Sequence, residues 1–468
     1  MRYYLAIDIG ASSGRHVLGH VENGKIQLEE IHRFDNGLTE KDGHLCWDTE
    51  MLFQEILTGM KKCAEAQKIP ATIGIDTWAV DFVLLDAEGN MLGDSVAYRD
   101  GRTKNMAAAV EDIIPFDELY AVTGIQKQPF NTIYQLMALQ KQQPDLLRKA
   151  ESLLMIPDYL NYLLTGNMLQ EYTNATSTAL VNAHGKTWDK GLRQRLGYPE
   201  KLFTPLSMPG TTVGPLRSEI RQYVGFESQV ILPATHDTGS AYLAVPVKDE
   251  HAVTISSGTW SLLGFENAEP ILTKRAQTEN FTNEGGFDYR FRFLKNIMGL
   301  WMIQSVRREL HKKYSYAQLE AFAKEYADFP SVVDVNKDIF LAPQSMIEAI
   351  RQECRDTGQQ IPEAVGEITQ CIYKSLSSCY ADAIHGLEEI TGRNFTGIYI
   401  VGGGSKDGYL NALTAEKTGL PVYAGPTEGT VIGNLMVQML RGGEFSSLRE
   451  ARKSVRNSFH IIQYGGET

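Results

Sequence analysis

Tyr3-Tyr-Leu-Ala-Ile-Asp8-Ile-Gly10-Ala-Ser12-Ser13-Gly14-Arg15 reads as an apolar strand running into a turn of small residues. The strand resumes at His16–His20, and Glu22-Asn23-Gly24-Lys25 is a strong hairpin signal before Ile26–Leu28. Two or three antiparallel strands around a small-residue loop are therefore expected. Such a loop offers closely spaced N–H donors and hydroxyls, which suits phosphate. Asp8, emerging beside it, is placed to hold Mg²⁺ directly or through water. An ordinary hairpin gives the same pattern, so the reading depends on the remainder of the chain.

The pattern returns at Ala252-Val-Thr-Ile-Ser256-Ser257-Gly258-Thr259-Trp260-Ser261-Leu-Leu-Gly264, again strand, small-residue turn, strand. The likeness is architectural rather than a sequence repeat, and it points to two related halves. A chain of 468 residues also calls for two domains of roughly 200–250 residues. Near its middle lies Val230-Ile-Leu-Pro-Ala-Thr-His-Asp-Thr-Gly-Ser-Ala241, an apolar run ended by Pro233 and followed by a tight polar turn. A carboxylate at a strand's end, flanked by His236 and the hydroxyls of Thr235 and Thr238, is where a general base for a substrate hydroxyl would sit. Asp237 as a helix cap is the plain structural alternative.

Asp76-Thr-Trp78-Ala79-Val-Asp81 joins two further apolar runs. Carboxylates around a ring and a bare amide at Ala79 suit a sugar, and a core Trp between Asp turns accounts for them equally well. Residues 105 to about 167 read as helical, interrupted at Gly124–Pro129, and Thr173–Thr178 is a polar patch suited to a cleft border. Asn296 to about Lys313 is expected as an amphipathic helix capped by Asn296, with Gln304 near its middle. A long helix is expected from Glu363 to Thr391, ending at Gly392. Gly397–Val401 reads as a buried strand running into Gly402–Gly404, then a helix from Gly408 to Thr418 and a strand over Leu420–Ala424. A glycine turn there lets a flat ligand such as adenine lie against the backbone, or serves a tight helix–sheet contact. Gly185-Lys-Thr187 lacks the first glycine of a P-loop, and Gly402–Asp407 lacks the third glycine of a dinucleotide fingerprint.

The hydrophobic fraction of 43% and charged fraction of 22% are those of a globular protein, and the net charge of −12 argues against a broad nucleic-acid surface. No apolar run nears the ~20 residues that span a bilayer. The N-terminus reaches Asp8 too soon for a signal sequence, so a cytoplasmic protein without membrane contact is expected. The five cysteines form no C-x-x-C pair and no zinc spacing. Reduced, buried thiols are expected, with a Cys354–Cys371 disulfide left open.

Asp8-Ile-Gly-Ala-Ser-Ser-Gly-Arg15, Asp76-Thr-Trp-Ala-Val-Asp81, Ala234-Thr-His-Asp-Thr-Gly-Ser-Ala241, Ser257-Gly-Thr-Trp260 and Val401-Gly-Gly-Gly-Ser405 together resemble the FGGY carbohydrate kinases of the actin/hexokinase/Hsp70 superfamily. They occur in the family's order from residue 8 to 405. Glycerol kinases and xylulokinases carry Gly-Thr where this chain has Gly10-Ala11. The resemblance implies an α/β fold of two ribonuclease-H-like (actin-like ATPase) domains with an interdomain cleft. Residues 1–245 would bind mainly sugar, and 246–468 mainly nucleotide. It implies Asp237 as proton acceptor, with His236, Thr238, the Ala79 backbone and Asn296 at the sugar. ATP phosphates would be held by Ala11, Ser12, Ser13, Gly14, Arg15 and Thr259, the rest of the nucleotide would be reached by Gln304 and Gly402, and Mg²⁺ would sit at Asp8. Many family members have glycine where this chain has Ala79. The activity implied is phosphorylation of L-rhamnulose at O1 by ATP, in a monomer or small homo-oligomer. Kinases of L-fuculose or xylulose, and a non-catalytic ATP/sugar sensor on the same fold, are the alternatives.

Overall fold

The computed structural model describes residues 1–466, which form two compact units. The first comprises Met1–Ala244, Glu266–Phe293 and Thr430–Ser458; the second comprises Val245–Phe265, Leu294–Gly429 and the chain from Phe459 on.

The first unit is built on strands β1 (Tyr3–Ile9), β2 (Ser13–Glu22), β3 (Lys25–Asp35), β4 (Pro70–Thr77), β5 (Thr212–Pro215) and β6 (Gln229–Ile231), ordered β5-β6-β4-β1-β2-β3. The hairpins β1–β2 and β2–β3 are antiparallel, whereas β4 runs parallel to β1 and β6 parallel to β4. Leu5, Ile7, Ile73 and Ile75 are fully buried, as a strand covered on both faces requires. One cover is the helix Thr49–Glu65, which buries Leu52, Ile56, Met60 and Cys63; Asp48 caps its N-terminus by accepting from Met51 N. Another is the helix Gly429–Arg441, whose Leu435 packs on Gly19 and whose Asn434 and Gln438 pack on Gly74.

That second helix also touches the short helix Asp237–Leu243. A Cβ on Gly433 would lie 1.7 Å from the Ser240 carbonyl oxygen, a backbone atom with nowhere to go. Gly433→Ala is therefore expected to cost about 2 kcal/mol or more, read as a lowered midpoint in thermal or urea denaturation.

The second unit repeats the strand order with β7 (Ala252–Ser257), β8 (Trp260–Asn267) as far as Phe265, β10 (Phe291–Met298) from Leu294 on, β11 (Gly397–Val401), β12 (Val422–Ala424) and β13 (Ile462–Tyr464); β9 (Thr282–Gly285), the end of β8 and the start of β10 fall in the first unit. The run is β10-β8-β7-β11-β12-β13, with β7–β8 an antiparallel hairpin and β11 parallel to β7. The two hairpins expected from sequence are present, and so are the helices Val365–Thr391, ended by a left-handed Gly392, and Gly408–Thr418.

Three expectations need correction. The segment 105–167 is not helical throughout: Ser152–Met155 is a strand paired antiparallel with Phe82–Leu85, because its apolar run is buried between neighbours rather than on one helix face. Asn296 caps nothing. It lies in β10, and the helix after it spans Trp301–Glu309, delayed by Gly299, whose Cβ would strike the Trp260 backbone at 2.7 Å. Thr173–Thr178 is buried rather than lining a surface, with its first residues in the helix Tyr172–Thr176. The five cysteines are free thiols. Among the described residues no helix is long and apolar enough to cross a membrane.

Candidate active site

β1 ends where the phosphate-type loop begins. Gly10 N donates to Ser13 O at 2.9 Å, Asn36 N to Ser12 O at 3.1 Å, and Asn36 Nδ2 to Gly10 O at 2.8 Å. Asn36 thus ties down the loop's carbonyls. Gly14 has a packing reason of its own, since a Cβ there would lie 2.1 Å from the Phe34 ring. Register places Asp8 opposite Arg15 on one side and Asp76 on the other. Arg15 donates through Nε and Nη2 to Asp8 Oδ2 at 3.0 and 2.9 Å.

Asp76 is fully buried. Its Oδ2 accepts from Asn434 Nδ2 at 2.5 Å, and its Oδ1 is buried with no hydrogen-bond partner among the described residues. Burial, and then the charge of Asp8, pushes its carboxyl well above the usual range, against the opposing pull of Asn434. An orphaned carboxylate oxygen beside a second carboxylate fits a divalent cation. Among the described residues no set of three or more His, Cys, Asp or Glu is spaced for a metal. One or two carboxylates are what Mg²⁺ uses when it arrives on phosphates.

The turn carrying Asp237 docks on the end of β4, where Thr77 N donates to Thr235 O at 2.9 Å. Glu171, fully buried, accepts from Thr235 Oγ1 at 2.6 Å and N at 3.3 Å, from Thr173 Oγ1 at 2.6 Å and N at 2.8 Å, and from Asn174 N at 3.0 Å. Thr173 Oγ1 in turn accepts from His236 N at 3.4 Å. Asp237 is the first residue of its helix, with His236 at the cap position, so it does not cap it. Asp237 Oδ1 accepts from Thr238 N at 2.6 Å and Thr238 Oγ1 at 3.2 Å, and lies 3.5 Å from His236 Nε2. Its side chain is one-third exposed, and Oδ2 has no partner among the described residues. Desolvation, then the charge of Asp8, pushes its pKa up to about 7, while the Thr238 bonds pull the other way.

Beside it, Asn174 Nδ2 donates to both Trp78 O and Thr235 O, at 3.4 and 3.5 Å, joining the Trp78–Asp81 turn to the Asp237 turn. Val80 sits at φ +68°, costly for a β-branched residue, and is held by Ser177 Oγ on its N–H and by Thr132 and Gln135 on its carbonyl. The Ala79 carbonyl accepts from Asp81 N, whereas the Ala79 N–H, partly exposed, has no partner among the described residues. That leaves a fixed donor. Asp81 and Trp78, by contrast, are structural. Buried Asp81 accepts from Trp47 Nε1 (2.6 Å), Trp78 Nε1 (3.0 Å), Tyr98 N (3.1 Å) and Gln135 Nε2 (3.0 Å), and burial pushes its pKa up to about 6.

In the second unit, Gly258–Thr259 turns between β7 and β8, and Thr259 O accepts from Gly299 N (3.1 Å) and Trp301 N (3.2 Å). This ties the turn to the start of the helix that carries Gln304. Gly402, at φ +85°, follows β11 so closely that a Cβ would lie 2.7 Å from Ser257 O; at Gly404 it would lie 1.9 Å from Ser257 Oγ. Thr259 and Gly402 therefore belong to one corner of this unit. Asn296 also lies in this unit, with Oδ1 buried and without a partner among the described residues, whereas Ala79, His236 and Thr238 belong to the first. Asp76, Asn434 and Glu171 are site residues not anticipated from sequence in these roles, and neither are Arg292 and Glu284, which lie against His236 Nδ1 at 3.1 and 3.4 Å.

The model of the N-terminal domain of the FGGY family of carbohydrate kinases matches residues 3–244, and that of its C-terminal domain matches residues 253–441. The chain belongs to this family and is a carbohydrate kinase, which implies ATP as phosphoryl donor. Its full-length relatives include the rhamnulokinase of Halalkalibacterium halodurans, 52% identical over 464 residues covering 99% of each chain. They also include that of Bacillus subtilis, 45% identical over 459 residues, covering 98% of this chain and 94% of the relative. Its two-domain α/β fold matches a ligand-bound xylulose kinase from Lactobacillus acidophilus (TM-score 0.83, 16% identity, covering 100% of this chain and 94% of that one). It also matches Plasmodium falciparum glycerol kinase with ADP (TM-score 0.81, 15% identity, 99% and 94%).

Proposed function

We propose that this chain transfers the γ-phosphoryl group of MgATP to O1 of L-rhamnulose, with Asp237 as proton acceptor. The observation that carries the base is the Asp237 carboxylate: Oδ1 is occupied by Thr238, Oδ2 has no partner among the described residues, and the pKa is raised to about 7. A base poised near neutrality can take a hydroxyl proton as the new P–O bond forms. The sugar is inferred from the activity named for relatives that span the whole chain.

Phosphoryl transfer proceeds through a loose transition state, so positioning and charge neutralisation do most of the catalysis. The Ala79 amide, His236, Thr238 and Asn296 orient the ketose. The Ala11–Arg15 loop and Thr259 supply donors to the phosphates, while Gln304 and Gly402 contact the rest of the nucleotide. Asp8, with Asp76 behind it, would hold Mg²⁺, which neutralises phosphate oxygens when bound. The protein would work in the cytoplasm on small molecules, as a monomer or small homo-oligomer.

ADP release from MgATP, measured against L-rhamnulose, L-fuculose, L-xylulose, D-xylulose and glycerol, tests this reading. Preference for L-rhamnulose is the expected result. Faster turnover of another sugar would move the substrate and keep the chemistry, and folded protein with no sugar-dependent ADP release would overturn the reading in favour of a sensor.

A further inference from the structure

We infer that Arg292, backed by Glu284, holds His236 in the tautomer protonated on Nε2, making it a fixed hydrogen-bond donor to the sugar hydroxyl that Asp237 deprotonates. This deepens the function proposed above and rests on that reading of the Asp237 turn. Arg292 is only 1% exposed, and its Nη2 lies 3.1 Å from His236 Nδ1. A guanidinium donates and never accepts, so Nδ1 must offer its lone pair, and the ring proton goes to Nε2. Arg292 Nε donates to Gly285 O at 3.1 Å, which fixes the plane of the guanidinium.

Glu284, on β9, completes the arrangement. Its Oε2 is 3.1 Å from Arg292 Nη1, so the buried cation has its counter-charge. The same oxygen is 3.4 Å from His236 Nδ1, which defines the rival state in which Nδ1–H faces Glu284. Glu284 Oε2 and Arg292 Nη1 pair by charge without a hydrogen bond, and Glu284 Oε2 makes none with Nδ1 either. It is the Arg292 Nη2 hydrogen bond to Nδ1, the shorter of the two contacts to that nitrogen, that favours the Nε2–H form. Burial and the Arg292 charge further hold the ring neutral. His236 Nε2 lies 3.5 Å from Asp237 Oδ1, so the ring donor stands beside the carboxylate whose other oxygen, Oδ2, is open. A hydroxyl oxygen reaching both side chains satisfies both, accepting from Nε2–H and passing its proton to Asp237 Oδ2. A keto or ether oxygen at that point satisfies only the donor. Arg292 is thus a positioning residue acting through His236.

The tautomer is read directly, without substrate, from ¹⁵N–¹H correlation spectra of protein with labelled histidine rings, the His236 signals being assigned with His236→Gln. Wild type is expected to show a pyrrole-like Nε2 and a pyridine-like Nδ1. A protonated Nδ1, alone or with Nε2, would overturn the proposal whatever the sugar turns out to be. Arg292→Lys keeps a donor and should keep the pattern. Arg292→Met combined with Glu284→Gln removes the donor without stranding a buried charge. It is expected to mix the tautomers and raise KM for the ketose about tenfold, with kcat and KM for ATP little changed. Mixed tautomers with an unchanged ketose KM would remove the donor role. If the double variant fails to fold, the wild-type spectrum still decides.

Discussion

Asp237→Asn is expected to leave the protein folded and binding both substrates while turnover falls by about 10²-fold or more. The amide keeps the contact with Thr238 but cannot take a proton. Turnover within tenfold of wild type, measured as sugar-dependent ADP release, would remove Asp237 from the mechanism. The raised pKa adds a pH signature of two opposite signs. A base must be ionised, so kcat/KM should rise through pH ~7 and level off above it. Stability runs the other way. The folded carboxyl titrates at about 7 against an ordinary 3.8, so between those values the native state binds more protons than the unfolded chain. The Asp237 contribution to stability therefore falls as pH rises through that window, and is flat above it. Asn removes both dependences, so the variant should gain stability relative to wild type at neutral and alkaline pH. Denaturation midpoints of the two proteins at pH 5 and pH 8 check this.

Glu171→Ala should produce the largest loss of stability. One buried carboxylate takes five donors from three residues, Thr173, Asn174 and Thr235. Behind it Asp158, also buried, accepts from Glu171 N, and burial followed by the Glu171 charge pushes its carboxyl well up. Burial raises the Glu171 carboxyl as well, but its five donors pull the other way and favour the charge there. Removing it strands several buried polar groups, at an expected cost of about 3 kcal/mol or more. Because Thr235 and the His236 amide are positioned through this anion, turnover should fall as well. An unchanged urea midpoint would show that the turn holds without its anchor. Glu171→Gln should be intermediate, since its amide nitrogen must face a donor.

What the sequence disclosed follows from distance along the chain. The two hairpin loops, the Asp237 turn and the Gly402 turn are each written in a dozen contiguous residues, and glycine, small and hydroxyl side chains declare them locally. Partners from afar carry no such mark. Asn434 reaches Asp76 across 358 positions, and Arg292 reaches His236 across 56. A signal existed in both cases. Asn434 and Gln438 are four apart on an otherwise apolar helix, and Arg292 sits between buried Phe291 and Phe293 in a strand. A polar group at a core position asks for a partner. Ala79 is a different case: its neighbours Trp78 and Asp81 left the sugar and core readings balanced, and only the tally of bonds separated the free amide from its structural flanks. The misplaced cap at Asn296 shows how a strand ending in glycine can pass for a helix start.

The shared carboxylate of Asp81 gives this kinase a built-in optical probe. The Trp47 and Trp78 rings lie 4.0 Å apart, both indole N–H groups pointing at the same oxygen, and Trp78 precedes the free amide of Ala79. Two transition dipoles at that separation couple, so the pair should give an exciton band in circular dichroism and a distinctive emission. A ketose that captures the Ala79 amide would perturb that signal as it binds, allowing affinity to be followed without label, nucleotide or turnover.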